Sequence, residues 1–392
     1  MIAGFDRYAQ IVRCFRDEDL RGNRQPEFTQ LDMEMAFVKR EDVMNVVDGC
    51  VKRIFHACLD VDVSLPLRRM SYDESMNRFG IDRPDTRFGL ELHDVTEVLK
   101  DTDFGVFRDA IQSGGVVKCI VAPGGEALTR KITDGLAVEL KGIGAGGLPL
   151  TKVTRTDGKV EFATGVAKFL QPLCSALCEK IGANPGDAVF FMPGTFKNVC
   201  KHLHFVRTRL AKIMDLIPPN RWDLLWVVDF PLVDWNEDEK RWDSTHHPFT
   251  APLDEDIPLL KTDPGKVRDQ AYDLVLNGEE MAGGSIRIHR RDVQQTVFGI
   301  LGISEEEANV KFQFLMEALR FGAPPHGGIA FGFDRWAMLL ARRSSLRDVI
   351  AFPKTQRAVC PLTLAPTEVS AGQLRELGID LRPEVKAKRS SA

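Results

Sequence analysis

Polar and apolar residues alternate strictly from Gln30 to Met35 within an extended segment at residues 27–38, so that Phe28, Gln30, Asp32 and Glu34 share one face and Leu31, Met33 and Met35 the other. A second extended segment, residues 7–16, precedes it, and the polar loop Arg21-Gly22-Asn23-Arg24-Gln25-Pro26 joins the two as a long-looped antiparallel hairpin. The period then lengthens. Val43, Val47, Cys50, Val51, Ile54, Phe55 and Cys58 recur at helical spacing behind Glu41 and Asp42, acids suited to a first helical turn.

Around Thr102 the pattern changes again, to short apolar strands (Val116–Ala122, Ala188–Met192), helical stretches near 167–181 and 197–214, and glycine-rich turns such as GIGAGG. After LLWVVDFPLVDW the earlier character returns. A strand is expected at Ala271–Leu276, then a glycine-rich turn, a strand at Ser285–His289, and a helix opened by Ser304-Glu305-Glu306-Glu307 and closed near Gly322 and Pro324. The pattern predicts an α+β fold in which an antiparallel sheet flanked by helices is interrupted by an α/β domain. The expected segments are 1–103 and 223–360 for the interrupted domain, 104–222 for the insertion, and 361–392 for a C-terminal extension whose end, KAKRSSA, is polar enough to be disordered.

At 392 residues and 44% hydrophobic, the chain can bury a substantial core without covalent staples. Lys plus Arg at 52 against Asp plus Glu at 56 gives a net charge of −4, so any nucleic-acid contact has to come from a local patch. Eight cysteines show no CxxC pair, and Cys174 and Cys178, four apart on an expected helix, read as core rather than zinc ligands. Without a long apolar run or a signal-peptide pattern at MIAGFDRYAQIVRC, the expectation is a cytoplasmic protein with no membrane partner.

Two strands carry a polar face where core is expected: Gln30, Asp32 and Glu34 in the hairpin, and Ser285, Arg287 and His289 further on, the latter preceded by Asp273, Glu279 and Glu280. A third stretch, GGIAFGFDRWAMLL, is a glycine-rich strand ending in Asp334 and Arg335 as a helix begins. It is not a P-loop, since GxxxxGK[ST] is absent, so a bound nucleotide would have to be held by arginines. Taken singly, Arg16, Glu18 and Asp19 read as a solvated turn, Arg287 as a salt-bridge partner of Asp32 or Glu34, and His246 and His247 as loop-packing residues. Taken together, three arginine-bearing elements and several acids suit a polyanionic, metal-bound substrate.

The FRDED…RQPEFTQ hairpin resembles motif two of the class II aminoacyl-tRNA synthetases and GGIAFGFDRWAMLL their motif three. With HHPFT, GGSIRIH and DVIAFPKTQ the chain is similar to the bacterial-type aspartyl-tRNA synthetases, whose extra α/β (GAD-like) domain sits where residues 104–222 fall. The resemblance implies activation of L-aspartate by ATP with Mg²⁺ and transfer to tRNA, either the aspartate acceptor alone or the asparagine one as well. It implies ATP contacts from Arg16, Asp17, Glu18, Gln25, Phe28, Glu280, Gly332, Phe333, Asp334 and Arg335, with Phe28 and Arg335 sandwiching adenine and Arg16 on the α-phosphate. Aspartate would be held by Arg16, Gln30, Asp32, His246, His247 and Arg287, and Mg²⁺ by Asp273 and Glu280, with Arg16, Arg287 and Arg335 doing the catalytic work.

Members of that family carry, ahead of this hairpin, an anticodon-binding barrel, the motif-one helix of a homodimer and a pocket-completing loop. The resemblance therefore implies a truncated synthetase, whose alternatives are a tRNA- or protein-binding relic without turnover and a related enzyme selective for asparagine or lysine. In the insertion, Lys201, His202 and Arg207 are candidates for touching the acceptor arm.

Overall fold

The computed structural model describes residues 1–17, 24–383 and 385; Glu18, among the expected nucleotide contacts, and the tail after Val385 lie outside the described residues. The chain divides into two units, Met1–Ala9 with Asp32–Phe331, and Gln10–Leu31 with Gly332–Ala392.

A seven-stranded sheet runs in the order Arg7–Phe15, Glu27–Ala36, His326–Gly332, Glu279–Ile286, Ala271–Leu276, Leu224–Val228, Arg68–Ser71. The larger unit holds the last four strands whole, together with Arg7–Ala9, Asp32–Ala36 and His326–Phe331 of the others. From His326–Gly332 to Leu224–Val228 the pairing is antiparallel, and the edge strand Arg68–Ser71 runs parallel to Leu224–Val228. The hairpin strands and the helix Arg40–Leu59 fall where alternation and helical spacing put them. That helix buries Val43, Met44, Val47, Val51 and Phe55 on one face, as a period of 3.6 requires.

One expectation fails locally. The glycine-rich stretch before Ser285 is not a turn: the strand starts at Glu279 and ends at Ile286, and the turn is only Asn277-Gly278. Both turn residues have positive φ, 54° and 89°, the conformation a two-residue hairpin needs and one that asparagine and glycine adopt readily. Gly283 and Gly284 lie inside the strand for another reason. A Cβ on Gly284 would run into the carbonyl of Gly328 and, at 2.7 Å, into the Tyr272 ring, so glycine here is what lets the strands approach.

Five further strands, Leu92–Asp94, Val116–Ala122, Ala188–Gly194, Leu150–Thr156 and Lys159–Ala163, form a second sheet in that order. Every pairing in it is antiparallel. Val116–Ala122 and Leu150–Thr156 run the same way and are linked through the helix Arg130–Lys141, but Ala188–Gly194 is inserted between them. Both faces are covered, which is why VVKCIVA reads as a continuous apolar run: Ile120 and Ala122 join one core cluster, Val117, Cys119 and Val121 the other. The exception, Lys118, is buried and donates to the Asn77 backbone carbonyl at 3.1 Å and to its side-chain oxygen at 2.9 Å.

Arg207 corrects a second expectation. It is fully buried, spans the space between the Phe79 and Phe88 rings, and donates to the carbonyls of Asp85, Phe88, Gly89 and Leu90. A side chain so committed cannot touch tRNA, and the neighbouring His202 is buried as well. An arginine on an amphipathic helix reads as a surface cation until the packing of a loop against its face is known.

The helix Arg40–Leu59 is tied to the sheet by a buried carboxylate. Asp48 accepts from Trp226 Nε1 at 2.7 Å and from the Leu67 amide at 3.1 Å, with Arg69 Nη1 at 3.4 Å. Asp48→Ala should strand the indole and amide donors and cost about 2–4 kcal/mol, read as a lower denaturant midpoint, whereas Asp48→Asn should cost less because one acceptor survives.

Candidate active site

Arg287 lies just beyond the strand Glu279–Ile286, with its backbone N–H on the His326 carbonyl at 2.9 Å. On its other side runs the segment 246–250. An isolated bridge joins Thr250 to Arg287, and Ile288 donates to the Phe249 carbonyl at 2.8 Å, so His247 is delivered alongside the guanidinium by backbone pairing. Arg287 Nε donates to Glu34 Oε1 at 3.1 Å, and Nη1 donates to Ser285 Oγ at 2.9 Å and to His247 Nε2.

The salt-bridge reading and the ligand reading of Arg287 are therefore compatible. Glu34 takes one edge of the guanidinium, while Nη2 makes no hydrogen bond with any described residue. Arg287 and Glu34 remain 26% and 29% exposed, enough for a solute to reach them. Glu34 lies on the strand Glu27–Ala36 and Arg287 just past Glu279–Ile286, two strands separated by His326–Gly332, and the bridge passes over Gly328, where a Cβ would strike Glu34 Oε2.

His246 and His247 are held in opposite charge states. Around His246, partial desolvation works against the proton, but its Nδ1 lies 3.1 Å from Asp269 Oδ2 and its Nε2 3.9 Å from Asp273 Oδ2. Those two carboxylates prevail and push its pKa up to about 10. His247 is pulled down to about 4, first by desolvation and then by the charges of Arg287 and His246. Two N–H donors face the imidazole, Arg287 at Nε2 and the Phe249 amide at Nδ1, the latter at 3.2 Å, with Thr250 Oγ1 3.4 Å from Nδ1.

Asp273 and Glu280 do come together. A Cβ on Gly283 would lie 2.8 Å from Asp273 Oδ1 and 3.3 Å from Glu280 Oε1, so the two carboxylates line a cradle that a side chain would fill. Two hard oxygen donors with space between them fit a divalent cation that draws its remaining ligands from phosphate and water. The Asp32 side chain, half-buried, makes no hydrogen bond or ion pair with the described residues.

Other candidates belong to the second unit, which is built from Gln10–Leu31 and Gly332–Ala392. There the Arg16 guanidinium sits 5.2 Å from the Phe28 ring centroid. Asp334, in the first turn of the helix Phe333–Leu340, accepts from the Thr29 amide at 2.7 Å, and Gln30 Oε1 accepts from the Cys14 thiol at 3.2 Å. Arg335 follows in that same turn, after Gly332 and Phe333 at the strand-to-helix junction. Asp17 is exposed at the strand end. Gln25 is buried and spends its amide on both backbone groups of Lys354, 2.7 Å and 3.3 Å, so it braces that loop. Arg16 and Arg335 thus share the smaller unit, and Arg287 belongs to the larger one.

A family model described as tRNA synthetases class II (D, K and N) matches residues 1–356. The chain belongs to that family. Among its relatives, the aspartate–tRNA(Asp/Asn) ligase of Caldanaerobacter subterraneus subsp. tengcongensis is 49% identical over 382 residues, covering 97% of this chain and 64% of the relative. Those of Geotalea uraniireducens (49% over 380 residues, 97% and 63%) and Heliobacterium modesticaldum (49% over 391 residues, 100% and 64%) match to the same extent. The chain thus spans just under two thirds of the length of these relatives. No helix among the described residues is long and apolar enough to cross a membrane.

Sequence reasoning missed Asp269, the buried partner of His246. Its signal was available: Asp269 precedes Asp273 by four residues in an extended stretch, on the same face. The histidines supply a direct check. At pH 8, ¹⁵N-resolved imidazole spectra should show His246 doubly protonated and His247 neutral. A folded pKa above the unfolded value near 6.5 means that the stability His246 adds is complete below about pH 6.5 and is lost as pH rises through about 10, so the deficit of His246→Gln should shrink across that window. His247 acts in the opposite sense, with stability falling as pH drops from about 6.5 to about 4.

Proposed function

We propose that this synthetase-family chain activates L-aspartate with ATP to aspartyl-adenylate and transfers the aspartyl group to the 3′-terminal adenosine of tRNA, with the aspartate and asparagine acceptors both in scope as in the names of its relatives. The observation that carries the reading is Arg287, a braced guanidinium with Nη2 unoccupied among described residues and a neutral histidine beside it. An arginine that cannot lose its proton, with a neutral imidazole against it, favours a side-chain carboxylate over an amide.

In this reading Asp32, unpaired among the described residues, accepts the substrate ammonium together with Gln30, and His246 and His247 border the amino acid. Arg16 meets the α-phosphate and the attacking carboxylate, while Phe28 and Arg335 take the two faces of adenine, with Asp17, Gly332, Phe333 and Asp334 around the nucleotide. Asp273 and Glu280 would hold Mg²⁺, which when bound neutralises phosphate charge. Attack of one anion on another needs little acid or base work, so most of the acceleration falls to guanidinium groups placed where negative charge builds up. Residues 1–103 and 223–360 form the catalytic domain in this scheme, 104–222 an insertion and 361–392 an extension.

Aspartate-dependent exchange of pyrophosphate into ATP tests the proposal. Exchange with aspartate and not asparagine is expected, and Arg287→Gln should lower kcat/KM for aspartate by about 10²–10⁴ while leaving the ATP affinity within about twofold. No exchange above background would leave a binding module, and exchange with asparagine would remove the role given to Arg287.

A further inference from the structure

We infer that Glu34 is a positioning residue that fixes how Arg287 reads its ligand, by leaving one nitrogen, Nη2, for an incoming carboxylate. The inference rests on the aspartate reading above and narrows it. A guanidinium has five N–H groups. One, on Nε, goes to Glu34; the two on Nη1 go to Ser285 Oγ and His247 Nε2; the remaining two are on Nη2. A two-pronged fork through Nη1 and Nη2 is therefore already partly taken, and the ligand meets the end of the guanidinium.

Glu34 can do this because of what lies under it. Its second oxygen, Oε2, is buried without a hydrogen-bond partner among the described residues and packs against Gly328, so the carboxylate is located by shape and is satisfied through Oε1. A buried orphan oxygen is a cost that a purely structural glutamate would shed by rotating toward water. Electrostatically, the carboxylate at 3.1 Å cancels the Arg287 charge while His247 is neutral, so the subsite carries close to no net charge. Preference for an acid then depends on where Nη2 points, and only weakly on bulk positive potential.

The two effects separate in substitutions of the full chain. Glu34→Ala removes the brace and should raise KM for aspartate about tenfold with KM for ATP within about twofold. Glu34→Gln keeps an oxygen for Nε but adds one net positive charge, and should lower KM for aspartate about threefold while lowering kcat, a direction that mere loss of structure would not produce. The Arg287 Nε–Hε correlation, assigned by its disappearance in Arg287→Lys, should shift in Glu34→Ala and stay near its original position in Glu34→Gln. An unchanged correlation in Glu34→Ala, or KM values for aspartate and ATP that rise together in Glu34→Gln, would overturn the positioning role. If the unmodified chain showed no aspartate exchange but the correlation still moved, the substrate reading would fall and the brace would stand.

Discussion

A single ion pair, Glu34 with Arg287, organises the part of the larger unit where chemistry is expected. It joins two strands that are not neighbours, across a third whose residue at the crossing is Gly328. Adjacent strands lie about 4.8 Å apart, so a side-chain bridge over an intervening strand needs a long residue at each end and nothing between. Glu and Arg supply the length, and glycine supplies the gap. The same close approach explains Gly284, which lies against Gly328 and the Tyr272 ring, and Tyr272 in turn donates to the Gly328 carbonyl at 2.9 Å. The glycines of AGGS and HGG are thus spacing elements of one arrangement.

Around that bridge the charges are graded. Asp269 and Asp273 keep His246 cationic, and burial, helped by Arg287 and the resulting imidazolium, keeps His247 neutral. Two identical side chains, adjacent in sequence, thereby do different things: one neutralises a pair of acids near the candidate cation cradle, the other offers a lone pair to an arginine. Neither state follows from histidine's ordinary pKa; both follow from which neighbours the fold supplies. An acid-rich wall beside a braced arginine whose charge Glu34 balances is a workable setting for a substrate that carries an ammonium and a carboxylate at opposite ends.

What the sequence determined by itself was periodic or locally punctuated. Alternation at 27–38, helical spacing at 43–58, and the continuous apolar run at 116–122 each correspond to an element with nearly the same bounds, because a half-buried strand, an amphipathic helix and a strand covered on both faces impose different periods on the chain. The motif residues that mark the family were legible in the same way. Tertiary structure decided whatever depended on a distant partner. Arg207 looks like a surface cation and is buried because a loop more than a hundred residues away offers it four carbonyls. Gln25 looks like a ligand contact and is consumed by Lys354. Gly283 and Gly284 look like a turn and are strand, since their purpose is the approach of another strand. Period reports which face a residue occupies; only the fold reports what waits on that face, because hydrogen-bond partners and desolvation are set by contacts that local sequence does not encode.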